Sequence, residues 1–309
     1  MSDAVIKIQN LFKSFGKNAI FDDASLSIIE GCAFGLVGLN GSGKTTLIRL
    51  LLGLLRPNRG SINVLGFDPW RHRAEYFRRL GVILDHDGFA GNLTVAQNLK
   101  VFSAAKRMEW RHVEAYVNEF WRDTFIEDEF RNGKKKVKLL SRGQKVQCAI
   151  CRAFLSWPAV YFLDEPLVAL DVDASDHFYR LVKLAKEKGG TVLISSHQLQ
   201  AIEDLCDTVG MLHNKRIDIL KSHDEAAMPK PWFVRCAQGQ NFGSVIEDIC
   251  RFHPEYDNGA WRFSVVDPPA VVPKIVSALV AEGCEIQEVG PEPDDLKDRI
   301  RDHYRETRK

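Results

Sequence analysis

The sequence predicts an α/β protein built around a parallel βαβ unit, with a second, smaller α/β part. Three observations predict it. Short, wholly apolar runs, Ala33-Phe34-Gly35-Leu36-Val37, Val160-Tyr161-Phe162-Leu163 and Thr191-Val192-Leu193-Ile194-Ser195, read as strands buried on both faces. A helical stretch at about 173–187 separates the last two, which is the pattern of a parallel βαβ unit. The composition then shifts near Ser222–Pro231, where Met228-Pro229-Lys230-Pro231 reads as a linker because two prolines oppose regular structure.

The remaining elements follow in order. Residues 4–9 and 23–28 alternate apolar and polar, the period of half-buried strands. The apolar run 33–37 feeds a glycine-rich turn and a helix over about 44–55, which Arg56-Pro57-Asn58-Arg59-Gly60 breaks. Ser61–Leu65 reads as a strand. Residues 94–155 are mainly helical, with Thr94 as a helix cap and Gln97 at its third position. Beyond the linker come strand 232–236, helix 243–252, strand 261–266, helix 270–282, strand 284–289 and helix 292–305. At about 100–200 residues per domain, the 309-residue chain holds two or three.

Composition excludes several classes. Forty-two basic against forty-one acidic residues leave a net charge of +1, so bulk charge gives no footprint for nucleic acid or for an anionic membrane surface. No apolar run approaches the roughly 18–20 residues that span a bilayer, and Met-Ser-Asp-Ala lacks the basic start and apolar core expected of a signal peptide. Seven scattered cysteines read as reduced, buried residues of a cytoplasmic protein. Cys148 and Cys151 form a CxxC within a helical stretch. With no second pair, packing is their first reading, and a metal or redox role the alternative.

The chemistry concentrates in two places. Gly38-Leu39-Asn40-Gly41-Ser42-Gly43-Lys44-Thr45 fits G-x-x-x-x-G-K-[ST] between a buried strand and a helix. Its glycines let successive N–H groups face phosphate oxygens, and the helix offers its positive end to the same anion. Lys44 supplies a point charge for the β- and γ-phosphates, and Thr45 a hydroxyl for Mg²⁺. Asn40, Ser42 and Thr46 complete the binding segment. Downstream, the strand 160–163 ends in Asp164-Glu165, where ligands bind in open α/β sheets. Asp164 would hold Mg²⁺ and Glu165 would accept a hydrogen bond from the attacking water. The alternative is that both only cap the turn before Pro166.

With these motifs in place, residues 4–220 resemble the nucleotide-binding domain of ABC transporters. Leu140-Ser141-Arg142-Gly143-Gln144 is similar to the family's LSGGQ signature, Ala169-Leu170-Asp171 to its D-loop and Ser196-His197 to its switch-histidine motif. The resemblance implies a P-loop NTPase cassette, with a mixed sheet core, an antiparallel β subdomain and a helical subdomain at about 88–156. It assigns residues 1–222 to the ATP-binding domain and 223–309 to an accessory α/β domain. It implies that Phe15 stacks on adenine (or merely packs in the core) and that His197 bonds the γ-phosphate (or caps a strand end). Ser141, Gly143 and Gln144 would close over ATP held by a second copy in a head-to-tail dimer.

The family's Q-loop glutamine maps to Asp85, which could serve Mg²⁺ or act only as a loop cap. Arg142 replaces a signature glycine and would be strained if that position needs φ > 0. Leu167-Val168-Ala169 departs from the small polar residues usual there. The run Lys134-Lys135-Lys136 reads as a solvated face, with a nucleotide or partner contact as the alternative.

The function implied is an ATP-binding and ATP-hydrolysing subunit of an ABC transporter. ATP and Mg²⁺ are its cofactors, and it drives a separate integral membrane permease from the cytoplasmic face of the membrane. No nucleic acid is expected. The stretch 85–94 is similar to drug and bacteriocin export ATPases, and the tail Pro291-Glu292-Pro293-Asp294-Asp295-Leu296 resembles that of drug-export or resistance ATPases, which favours export. The rival is a non-transport ABC ATPase with a mechanical or assembly role, which the single cassette and the absence of room for a coiled coil weaken.

Overall fold

The computed structural model describes residues 4–39, 41–71, 73–84, 88–221, 230–236, 242–250, 253–257, 259–265 and 268–291. The chain divides into two compact units, Met1–Leu220 and Lys221–Lys309.

In the first unit, β1 (Ala4–Phe15) and β2 (Asn18–Ile29) form an antiparallel hairpin, and β4 (Arg59–Val64) pairs with the other edge of β1. Their alternation is the one read from the sequence: Ile6, Ile8 and Leu11 turn inward, as do Phe21, Leu26 and Ile28. The second sheet has six strands in the order β5-β6-β7-β3-β8-β9. Its centre is the fully buried β3 (Ala33–Val37), β6 (Val160–Asp164) and β7 (Thr191–Ser195), each pair of neighbours parallel. β5 (Leu80–Ile83) and β8 (Thr208–His213) extend it in parallel. β9 (Arg216–Lys221) follows β8 through Asn214-Lys215, both at positive φ as a two-residue hairpin turn requires. One core joins the two sheets: Ile6, Phe21, Leu36, Leu47, Phe162 and Leu193 belong to it.

Helix α1 (Lys44–Leu51) follows β3. It is shorter than the sequence predicts because Gly53, at φ 66°, closes it. Gly53 N–H bonds Leu50 O (2.9 Å) and Leu54 N–H bonds Arg49 O (2.9 Å), a Schellman stop. The short α2 (Arg73–Arg78) precedes β5. The helical stretch resolves into α3 (Val95–Ala105), α4 (Trp110–Phe120), α5 (Phe125–Arg131) and α6 (Arg142–Phe154). Thr94 caps α3 through the reciprocal box with Gln97 that the sequence predicts. Then α7 (Val172–Glu187) joins β6 to β7, and α8 (Leu199–Leu205) leads to β8.

The second unit runs β10 (Lys230–Cys236), α9 (Gly243–Cys250), β11 (Glu255–Asp257), β12 (Ala260–Val265), α10 (Pro268–Ala281) and β13 (Ile286–Pro291). Its antiparallel sheet has the order β11-β12-β10-β13, and the β-α-β-β-α-β succession is ferredoxin-like. Val234, Ile246, Phe263, Ile275 and Leu279 form its own core.

Two expectations are corrected here. Lys230-Pro231 is not linker but the first turn of the β10 ladder, since a proline at a strand's start costs little. The cysteines are not all reduced: Cys236 and Cys284 form a disulfide, their Cα atoms 6.2 Å apart, while the other five are buried outside any disulfide. Residues 222–229 of the expected linker and the expected helix 292–305 lie outside the described residues.

Candidate functional site

β3 delivers the chain into the glycine-rich loop, whose conformation only glycine fits. Gly38 has φ 156° and Gly43 φ 114°. A Cβ on Gly43 would lie 2.7 Å from Ile20 Cγ2, and one on Gly38 2.9 Å from Leu212 O. Ser42 N–H closes the loop on Leu39 O at 3.0 Å. Asn40 lies outside the described residues. No side chain caps α1 and no acid sits in its first turn, so its N-terminal N–H groups are left for an external anion. Lys44 is only 7% exposed, and its Nζ donates to Gly38 O at 2.7 Å and Leu39 O at 3.4 Å. Burial draws its pKa down, against the carboxylates of Glu165 and Asp164.

The acids come from the end of β6. Asp164 is buried and accepts from Ser195 Oγ of the adjacent strand. Glu165 sits at φ 49°, a left-handed conformation that costs a non-glycine residue about 1–3 kcal/mol and must be held by its surroundings. Its N–H bonds Ser195 O at 3.0 Å and Ser195 Oγ at 3.2 Å. Its carboxylate accepts from His197 twice, Nδ1 at 2.8 Å and the backbone N–H at 3.3 Å. A carboxylate at Nδ1 places the proton there and frees Nε2.

These groups share space. A recess of about 260 Å³ is lined by Ile20, Gly41, Gly43, Lys44, Thr45, Thr46, Asp164 and Glu165. A neighbouring one contains Asp164, Glu165 and His197 opposite Arg142 and Lys145 of α6. Loop, cation and both acids therefore meet, although Lys44 and Asp164 are far apart in sequence. The hydroxyl of Thr45 and the carboxylate of Asp164 are hard oxygen donors suited to Mg²⁺. Asp85 lies outside the described residues.

The signature-like segment is elsewhere: Ser141, Gly143 and Gln144 do not line the phosphate recess. Ser141 Oγ accepts from Gln144 N–H (3.2 Å) and Gln144 Oε1 from Ser141 N–H (3.0 Å), a capping box that starts α6. Arg142 opens that helix and is not among the positive-φ residues, so the suspected strain is absent. Gly143 is required by proximity: a Cβ there would meet Ala169 O at 2.5 Å. Phe15 is 49% exposed, with Lys13 Nζ 4.9 Å from its ring centroid, so it is not a core residue. Lys134, Lys135 and Lys136 are exposed. Cys148 and Cys151 are buried within α6, and among the described residues no group of three or more His, Cys, Asp or Glu could hold a metal. Sequence reasoning missed Ser195; its signal is a hydroxyl ending an otherwise apolar strand.

A family model described as ABC transporter matches residues 21–168. The bacitracin transport ATP-binding protein BcrA of Bacillus licheniformis is 36% identical over 214 residues, 69% of this chain and 68% of that protein. The Nod factor export ATP-binding protein I of Bradyrhizobium diazoefficiens is 34% identical, over 75% of this chain and 72% of the relative. Among solved structures, an ATP-binding subunit of an ABC transporter superposes with a TM-score of 0.63 at 27% identity, covering 69% of this chain and 88% of the other. A nucleotide-free ATP-binding cassette from an ABC transporter, at 21% identity and a TM-score of 0.59, shares the fold.

Proposed function

The chain belongs to the ABC transporter family, and from that premise we propose that it is the ATP-hydrolysing subunit of an exporter that drives a separate membrane permease. One observation carries the chemistry: Lys44, Thr45, Asp164 and Glu165 line a single recess at the start of α1. In this reading the N–H groups of residues 38–46, Asn40 and Ser42 included, cradle the phosphates, and Lys44 neutralises charge growing on them. Thr45, Asp164 and Asp85 would hold Mg²⁺, which would offset the negative charge of the phosphates. Glu165 accepts a proton from the attacking water. His197, bonded to Glu165 through Nδ1, turns its other nitrogen to the γ-phosphate. Phe15 offers its exposed ring to adenine.

The site is completed by a second copy of the chain in head-to-tail contact. Ser141, Gly143 and Gln144 are absent from the lining of their own chain's recess, which supports their serving the partner's ATP. The relatives named for bacitracin transport and Nod factor export support export over a mechanical or assembly role. Residues 1–222 are the engine, working at the cytoplasmic face of the membrane, and 223–309 an accessory domain that assists dimerisation or regulation.

Lys44→Ala tests the reading. The full chain is expected to release phosphate from MgATP, and the variant to lose on the order of 100-fold or more in turnover, as when one preorganised charge-stabilising group is removed. A variant that turns over like the wild type refutes it.

A further inference from the structure

The geometry points to Ser195 as a positioning residue that sets both acids of the ATP site through one hydroxyl. The inference rests on the reading of Asp164 and Glu165 as the working carboxylates.

Parallel pairing of β6 and β7 places Ser195 beside Asp164. The serine is 0% exposed, and a buried hydroxyl must find partners. A hydroxyl has one hydrogen to give and lone pairs to receive with. Ser195 gives its hydrogen to Asp164 Oδ1 and receives the N–H of Glu165 at 3.2 Å. With Oδ1 engaged, the second oxygen of Asp164 is the one left to serve a cation. The same hydroxyl, by accepting the N–H of Glu165, holds the backbone of a residue that stands in the left-handed region at φ 49° and is gripped by Ser195 O as well, at 3.0 Å. Two residues along the chain, His197 holds the carboxylate of Glu165. The end of β7 thus sets Glu165 at its backbone and at its carboxylate, and Asp164 at one oxygen. Ser195 touches neither water nor phosphate in this scheme. It acts through the acids.

The test uses the full chain as wild type, Ser195→Ala and Ser195→Thr. Turnover, KM for MgATP, circular dichroism and the Mg²⁺ concentration that half-saturates binding of a fluorescent ATP analogue are measured. Ser195→Ala is expected to lower kcat about 10–100-fold, the range a small misplacement of catalytic groups produces. Its KM should change little, its dichroism should match the wild type, and its Mg²⁺ requirement should rise severalfold. Ser195→Thr, which keeps the hydroxyl, should recover most of the loss on both readouts. Unchanged kcat in Ser195→Ala overturns the proposal. So does loss of the fold, or a Ser195→Thr chain no better than Ser195→Ala. A wild type that binds MgATP but never hydrolyses it sinks the underlying ATPase reading instead, and is seen before any variant is made.

Discussion

Glu165→Gln separates the chemistry of the site from its architecture. The substitution keeps size and one amide oxygen but removes the charge and the basicity. In the structure Glu165 Oε2 accepts from His197 Nδ1 at 2.8 Å and from His197 N–H at 3.3 Å. Both bonds end on one oxygen, so a glutamine Oε1 in its place can accept both, and the histidine side chain is 57% exposed. The lost charge assistance is therefore worth about 1 kcal/mol or less. That lowers the melting temperature of a unit this size by about 2–4 °C at most. The binding groups at Lys44 and the loop are untouched, and the chief effect on Lys44 is loss of one carboxylate that raises its pKa. Nucleotide affinity should therefore stay within about threefold of wild type. Turnover is different: a positioned general base contributes about 10²–10⁴-fold, or about 2.7–5.4 kcal/mol. Phosphate release at saturating MgATP, read beside equilibrium binding of a fluorescent ATP analogue, distinguishes the two. Turnover close to wild type, or binding lost in step with turnover, would refute the role of Glu165 as base.

Gly143→Ala tests why that glycine is present. Alanine gains about 1 kcal/mol of helix propensity, but its Cβ would meet Ala169 O at 2.5 Å, an overlap costing about 1–3 kcal/mol. A net loss in nucleotide-free thermal stability is expected, and a melting temperature above wild type refutes the close approach. Acidification tests His177, whose pKa is pushed down to about 4 by burial and by Arg180. The folded state binds fewer protons than the unfolded between that value and about 6.5, so stability rises with pH across the window and is lost as pH falls. His177→Phe, which keeps a ring against Trp121, should flatten that slope in urea melts at pH 4.5 and 7, and an unchanged slope refutes the assignment.

What the sequence makes legible is whatever rests on local pattern. β3, β6 and β7 announce themselves as apolar runs because a central parallel strand has no solvent face. Thr94–Gln97 reads as a cap because a capping box is closed within four residues. Pairings across distance are less legible. The hydrogen bonds of Ser195 to Asp164 and Glu165 depend on the register of β6 against β7, which no local pattern encodes. Gly143 looks like part of an anion site, but its need comes from the carbonyl of Ala169. Pro231 looks like a breaker because the sequence does not say that it stands at the second rung of a ladder. Cys236 and Cys284 look unrelated until β10 and the end of α10 bring them together. α2 and β5 escape notice because six and four residues are too few to establish a period.

The claim that two copies share their ATP sites is tested most directly by mass. The Glu165→Gln chain, at 35.0 kDa, is passed over a sizing column with light-scattering detection in saturating MgATP and again in MgADP. Slow hydrolysis should hold ATP between the copies, so the mass should double with ATP and return to the single-chain value with ADP. A single-chain mass in saturating MgATP, with nucleotide shown to be bound, would contradict the shared site.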